Sequence, residues 1–266
     1  MIPIKENRFY IFIFAILLIC VLFLVPKYRQ PSVVQIKEVI EANVIRLNDG
    51  RTLRLIGVRC PSIRHRISEK WFNSEEELSL EAKKFTEKLI EGKQIRLEFD
   101  VLQQDHYGDL LAYIFVKDDG KELFLNKEII RNGFGYYLVS FPNTKYLDDL
   151  AASQKEAFQL KRGIWEKDDV VSSEEAKNFI GQRKYVQGKI IIVKDSYEAV
   201  FLLFHKWKKS YLKVVIPKKY LQYFNERNID PFRFYLNRNV RIFGLIEEYS
   251  GPEISISHPA QIEIIE

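Results

Sequence analysis

Residues 9–25, FYIFIFAILLICVLFLV, form an uninterrupted apolar run. Its 17 residues sit at the short end of the roughly 17–25 that span a bilayer core as a helix. Lys5 and Arg8 flank it on one side, and Pro26, Lys27 and Arg29 end it on the other. The run leaves through Phe23, Leu24, Val25 and Pro26, with no small-x-small cleavage site, and Ile19 stands before Cys20 where a lipoprotein needs a small residue. The pattern therefore predicts an uncleaved single-pass membrane anchor rather than a cleaved signal peptide. Basic residues on both sides leave the orientation nearly balanced. The signal-like shape leans toward a short inside tail and an extracytoplasmic remainder.

From about residue 31 the pattern changes to alternation. Segments 33–40, 44–50 and 51–58 are rich in β-branched residues, with Asn48-Asp49-Gly50 as a hairpin turn between the last two. A polar loop over 61–73 follows. Ser74 is the expected cap, and Glu75, Glu76 and Glu77 the expected first turn, of a helix over 78–91 that stops at Gly92. Strands are expected at 93–100 and 110–116, a short helix at 126–132 and a longer one at 144–160. Five strands beside helices is the pattern of an OB-type barrel. Near Ser172 a second unit begins, its Ser172-Ser173-Glu174-Glu175 reading as a helix start. Strands are expected at 184–194, 197–207, 210–217, 239–249 and 252–265, a helix at 217–226, and a turn at Gly251-Pro252. The expected fold is a β-rich α+β chain in three parts: tail and anchor over 1–30, a first barrel over 31–168, and a second, OB-like barrel over 169–266.

Composition narrows the chemistry. Of 266 residues 47% are hydrophobic and 29% charged, which excludes wholesale disorder. Lys plus Arg exceeds Asp plus Glu by 41 to 36, too small a margin to argue for nucleic acid by itself. Two cysteines, Cys20 and Cys60, exclude a disulfide scaffold and a cysteine zinc site. The four histidines are not spaced as ligand pairs. Charge location is more telling. The stretch 204–219, FHKWKKSYLKVVIPKK, carries Lys206, Lys208, Lys209, Lys213, Lys218 and Lys219, interleaves Trp207 and Tyr211, and has no acid. Cations for a backbone and aromatic faces for bases are what a single-stranded nucleic acid needs. A solvated hairpin and a surface lying against anionic lipid are the alternatives.

Residues 34–165 resemble the thermonuclease (staphylococcal-nuclease-like) family. The motifs that carry the likeness are TLRLIGVRCP (52–61), LEAKKFTEKLIEGKQIRLEFD (80–100), DHYGDLLAYIFV (105–116), NKEIIRNGFGYY (126–137) and KRGIW (161–165). The resemblance implies an OB barrel with flanking helices, and in the family's enzymes a calcium-dependent phosphodiesterase. Position by position, the family's catalytic set is largely substituted. Its first metal-ligating acid is Asn43 and its second is Arg59; its general-base glutamate is Ser62; its second arginine is Asp109. Only Arg54 matches. Losing the base removes about two to four powers of ten in rate, and losing an electrostatic stabiliser about two to three more.

Residues 188–265 are similar to small OB-fold nucleic-acid-binding modules. The implied function is a membrane-held, catalytically degenerate protein that binds nucleic acid, single strands above all, with no cofactor. Arg54, Arg59, Lys206, Trp207, Lys208, Lys209, Tyr211 and Lys213 are the expected contacts. One alternative is an active nuclease that uses calcium at a rearranged site including Asp105 or Asp100; the other is a protein-binding scaffold. The acid-to-Arg change at Arg59 and the Arg-to-acid change at Asp109 are complementary. An ion pair between them is one expectation, and two separately solvated side chains the other. Cys60 is expected to pack at a strand end, and His65 and His106 to lie solvated in loops.

Overall fold

The first half contains β1 (Ser32–Val34), β2 (Ile36–Glu41), β3 (Val44–Leu47), β4 (Thr52–Leu55), β5 (Val58–Arg59), β6 (Arg64–Ile67), β7 (Lys70–Asn73), β8 (Gln94–Glu98), β9 (Leu110–Asp118), β10 (Lys121–Phe124) and β11 (Tyr136–Tyr137). The second half supplies β12 (Val171–Ser172), β13 (Arg183–Lys189), β14 (Ile192–Asp195), β15 (Ala199–Leu203), β16 (Lys213–Pro217), β17 (Asn239–Leu245), β18 (Glu247–Glu248), β19 (Pro252–Ser255) and β20 (Ile262–Ile264). The computed structural model describes residues 32–67, 70–73, 75–118, 120–167, 170–206 and 211–265. The anchor expected over 9–25, Cys20, the cap expected at Ser74, and Trp207, Lys208 and Lys209 lie outside the described residues. Among the described residues no helix is long and apolar enough to cross a membrane.

Both halves close the same cycle. In the first, β2 pairs with β3, β3 with β4, β4 in parallel with β9, β9 with β8, and β8 returns to β1 on the segment that continues into β2. In the second, β14 pairs with β15, β15 with β16, and β16 in parallel with β19. The chain of β19 continues as β20, which pairs with β17, and β17 pairs with β13 on the segment that continues into β14. Sequence alternation reads 184–194, 239–249 and 252–265 as single strands; each instead bends and passes from one sheet to the other. At the first bend the Ile190 N–H donates to Arg238 O (3.0 Å) and the next N–H, of Ile191, to Leu203 O (2.9 Å). Neighbouring residues thus bond to different strands, as closing a small barrel requires.

Three helices brace the first barrel: α1 (Ser79–Ile90), α2 (Leu125–Arg131) and α3 (Leu147–Gln159). Glu75, Glu76 and Glu77 precede α1 rather than forming its first turn, because Leu78 takes a left-handed conformation (φ 65°) that starts the helix later. Buried Asn126 pins α2 to the sheet. It accepts from Ile114 N (3.0 Å) and donates to Ile56 O (2.8 Å), so two backbone groups are satisfied at once. The polar stretch 61–73, expected as a loop, contains the β6–β7 hairpin. Ser172 starts no α-helix: its hydroxyl accepts from Glu175 N (3.2 Å) in a turn that leads to a short 3₁₀ segment, Ala176–Phe179. The helix expected over 217–226 is a 3₁₀ turn, Lys218–Tyr220, followed by α4 (Leu221–Asn225). A further turn of helix, α5 (Pro231–Phe234), is capped by Asp230.

Each barrel has its own core. Ile45, Leu53, Ile95, Leu97 and Ile114 fill the first, and Val200, Leu202, Val214, Ile242 and Ile254 the second. Tyr185 and Phe243 come from the second half yet pack into the first core. Their rings meet each other at 5.0 Å and Trp165 at 5.7 and 5.6 Å. Gln154 accepts from Tyr137 N (2.9 Å) and donates to Tyr185 Oη (2.8 Å), bridging the two halves at that seam.

Candidate functional site

β4 carries Arg54 and, after a tight turn, β5 carries Arg59. The turn needs Gly57, whose φ is +73° and whose Cβ would stand 2.7 Å from Leu150 Cδ1. β5 is then held by β11, with Arg59 opposite Tyr136. Gly135 permits that approach, since a Cβ there would meet Arg59 O at 2.6 Å. The parallel register sets Arg54 opposite Leu111, which brings the loop before β9 onto the Arg54 side of the sheet. Arg54 and Arg59 line one cleft of about 890 Å³ with Glu41, Arg46, Ser62, Arg64, Asp105, Tyr107 and Asp109.

Arg54 does not face this cleft as a free cation. Its Nε lies 2.7 Å from Asp109 Oδ2 and 3.5 Å from Asp105 Oδ2. Asp105 also builds the loop, accepting from Tyr107 N (2.9 Å) and Asp109 N (3.0 Å). The pair expected between Arg59 and Asp109 is therefore replaced by one between Arg54 and Asp109. The reason is geometric: Asp109 is two residues before Leu111, hence on the same face, diagonal to Arg54. Arg59 is exposed and, like exposed Arg64, has no ion-pair or hydrogen-bond partner for its guanidinium among the described residues.

The remaining positions are occupied by other tasks. Asn43 donates its amide to Val58 O (3.0 Å), a bond that an ionised carboxylate there cannot make. Ser62 is buried, its N–H on Glu76 Oε2 (2.8 Å) and its hydroxyl 3.5 Å from Glu41 Oε2. Glu41 accepts from the N–H groups of Ile63 (3.1 Å) and Arg64 (3.2 Å). Asp100 is turned to Tyr113 Oη and Lys145 N (both 3.2 Å) and does not line the cleft. A calcium ion needs six to eight oxygens at about 2.3–2.6 Å. The donors here do not fit that demand: Asp105 and Asp109 share the Arg54 guanidinium, and Glu41 is taken by backbone N–H groups. Among the described residues no group of three or more His, Cys, Asp or Glu side chains is arranged to hold a metal.

Cys60 packs at the end of β5, 3% exposed. Burial, with the Glu41 charge adding to it, pushes its thiol well above the ordinary value, so it stays protonated at neutral pH. The His106 ring lies against that of Tyr107, centroids 3.6 Å apart. His65 falls on β6 rather than in a loop. Sequence reasoning gave no role to Glu41 or Arg64. Glu41 is the last residue of β2 and Asn43 lies in the turn that leads to β3, so no strand periodicity marks them as neighbours.

In the second barrel, Lys206 is exposed and Tyr211 stacks on His205, centroids 4.5 Å apart. Lys213 corrects the expectation of a surface contact. It is 5% exposed, pairs with Glu253 at 2.9 Å and donates to Tyr249 O. It sits opposite Glu253 in the β16–β19 ladder, so the pair forms in register.

Comparison with known proteins matches this chain to a family. Residues 52–167 match the family described as Staphylococcal nuclease homologue. The chain is 33% identical over 133 residues to the Thermonuclease of Staphylococcus hyicus, covering 46% of this chain and 73% of that protein. It is 32% identical over 135 residues to the Thermonuclease of Staphylococcus intermedius, covering 50% and 75%. It is 36% identical over 97 residues to Endonuclease YncB of Bacillus subtilis, covering 35% and 43%. The order of strands, the parallel β4–β9 pair and these likenesses lead to one conclusion: the chain belongs to the staphylococcal nuclease homologue family.

Proposed function

We propose that this protein is a catalytically degenerate member of its family that binds nucleic acid through the first barrel's cleft and through the second barrel. The observation that carries the reading is the Arg54–Asp109 pair beside an Arg59 that has no ion-pair partner among the described residues. A phosphodiesterase needs a cation, a base and free arginines. Here an arginine stands at one expected acid position, an amide at another, a buried serine at the base position, and an aspartate on the remaining arginine. Exposed Arg59 and Lys206 keep the capacity to contact phosphate. The second barrel supports a binding role by its closed cycle with a parallel β16–β19 pair, which we read as an OB fold. The apolar run over 9–25 supports anchoring at a membrane, with the barrels on its outer side.

A titration of the full chain with a labelled single-stranded oligonucleotide at increasing salt tests the reading. Each phosphate neutralised contributes a slope of about −0.7 in log K against log salt for single strands. A negative slope is expected; affinity that does not change with salt contradicts an electrostatic nucleic-acid mode. The second reading, an active nuclease, is favoured by one observation: Glu41, Asp105 and Asp109 line the same cleft as Arg54. Calcium-dependent cleavage lost on Asp105→Ala or Asp109→Ala supports that reading instead.

A further inference from the structure

Opposite charges in the cleft cancel unevenly. Of its four arginines, Arg46 is held by Glu38 at 2.8 Å and Arg54 by Asp109 at 2.7 Å. Of its three carboxylates, Asp105 and Asp109 surround Arg54, and Glu41 accepts from the backbone N–H groups of Ile63 and Arg64. The guanidiniums of Arg59 and Arg64 remain, both exposed and both without a partner among the described residues. They stand on adjoining segments, β5 and β6, separated by the short turn whose N–H groups are tied to Glu41 and Glu76. The Asn43 bond to Val58 O holds β5 beside Arg59, and Glu41 holds the Arg64 N–H, so both arginines stand on tied backbone.

We propose that Arg59 and Arg64 bind the phosphate groups of the ligand directly, with no divalent ion, and that Asp109 withholds Arg54 from that ligand. The proposal rests on the nucleic-acid reading above and deepens it. A guanidinium offers paired N–H donors that match two phosphate oxygens, and exposed arginines bring their charge without a hydration sphere as tight as an ammonium's. A divalent ion placed in the same cleft meets Arg59 and Arg64 as like charges, with its carboxylates already engaged. The cleft therefore selects anions where its fold would otherwise gather a cation. Asp109 acts as an internal competitor: a phosphate that would take the Nε of Arg54 must displace a carboxylate at hydrogen-bond distance.

The test uses the full chain and a short labelled single-stranded oligonucleotide, read by fluorescence anisotropy in excess calcium and in excess EDTA, with pyrophosphate as competitor. Affinity equal in calcium and EDTA is expected. Arg59→Ala and Arg64→Ala are each expected to weaken it about tenfold, the worth of a charge-assisted bond, with partial rescue by Arg59→Lys. Asp109→Asn is expected to tighten it about threefold by releasing Arg54. Binding that requires calcium, or that ignores both arginine substitutions, overturns the inference and leaves the nucleic-acid reading standing. Pyrophosphate binding measured by calorimetry and lost in Arg59→Ala, with no oligonucleotide binding at low salt, removes the nucleic-acid reading and keeps the anion site. Binding of neither ligand overturns both.

Discussion

The two barrels close the same cycle of strands, yet they treat their cations differently. In the first, β4 and β5 carry Arg54 and Arg59 only five positions apart, and one is neutralised by Asp109 while the other is left exposed. In the second, Lys213 and Lys206 stand seven positions apart, and again one is buried on a carboxylate while the other is exposed. Strand register decides each case. Arg54 is diagonal to Asp109 across a parallel ladder, and Lys213 is directly opposite Glu253 across another. Positive charge in a sequence is thus not positive charge available to a ligand; the ladder consumes some of it first. The first barrel also opens a cleft of about 890 Å³ around its arginines, whereas in the second the exposed Lys206 follows the end of β15 and the buried Lys213 begins β16.

The largest predicted effect concerns the seam that joins the barrels. Phe243→Ala removes a buried ring that contacts Tyr136, Tyr137, Trp165 and Tyr185. A loss of about 3–5 kcal/mol is expected. Denaturant unfolding followed by two probes checks it: coincident transitions in the native chain and separated ones in the variant.

Next comes the buried pair. Lys213→Ala leaves Glu253 without its cation and is expected to cost about 3 kcal/mol of stability. Because Lys213 does not face solvent, oligonucleotide affinity is expected to stay the same once the variant is folded. A drop in affinity with stability intact breaks the contrast between spent and available cations.

A smaller effect follows from His258. Burial first, and the Arg227 charge second, hold its ring down to about 4 from 6.5, with Asp148 opposing. Its Nδ1 accepts from Ala260 N in the cap of the last short turn. Below pH 6.5 the unfolded chain takes up a proton that the folded chain refuses until about pH 4. Stability is therefore lost as pH falls through that window. His258→Gln is expected to flatten the melting temperature between pH 7 and 4.5, roughly the span of that titration; an unchanged slope contradicts the assignment.

The smallest effect is on the surface. Lys206→Ala is expected to leave stability within about 0.5 kcal/mol. It should weaken oligonucleotide binding and reduce the salt slope by about 0.7. Lys206→Ala and Lys213→Ala together give opposite readouts from two lysines of one stretch.

Much of the first barrel is legible in the sequence. The Asn48-Asp49-Gly50 turn forms, with Gly50 N–H donating to Leu47 O at 3.0 Å. The helix expected over 78–91 is Ser79–Ile90, because Leu, Ala, Phe and Ile recur on one face. The β6–β7 hairpin escaped notice since its segments RHRI and KWFN lack clean alternation. In the second barrel, strand bends at Ile190 and Ile246 were invisible, for apolar residues continue through them. At the site, the substitutions at Asn43, Arg59, Ser62 and Asp109 were readable one by one. The pairing was not: Arg54 and Asp109 are 55 residues apart, and only the register of β4 on β9 makes them neighbours. The roles of Glu41 and Asn43 also depend on a turn that local pattern does not specify.

The central claim is that the fold is kept and the chemistry is lost at named positions. Phosphodiester cleavage in excess calcium, by the native full chain and by a variant carrying Asn43→Asp, Arg59→Asp, Ser62→Glu and Asp109→Arg, tests it most directly. The account predicts no calcium-dependent cleavage by the native chain, and cleavage by the variant at least about 10⁴-fold above it. Calcium-dependent turnover by the native chain, abolished by EDTA, contradicts it.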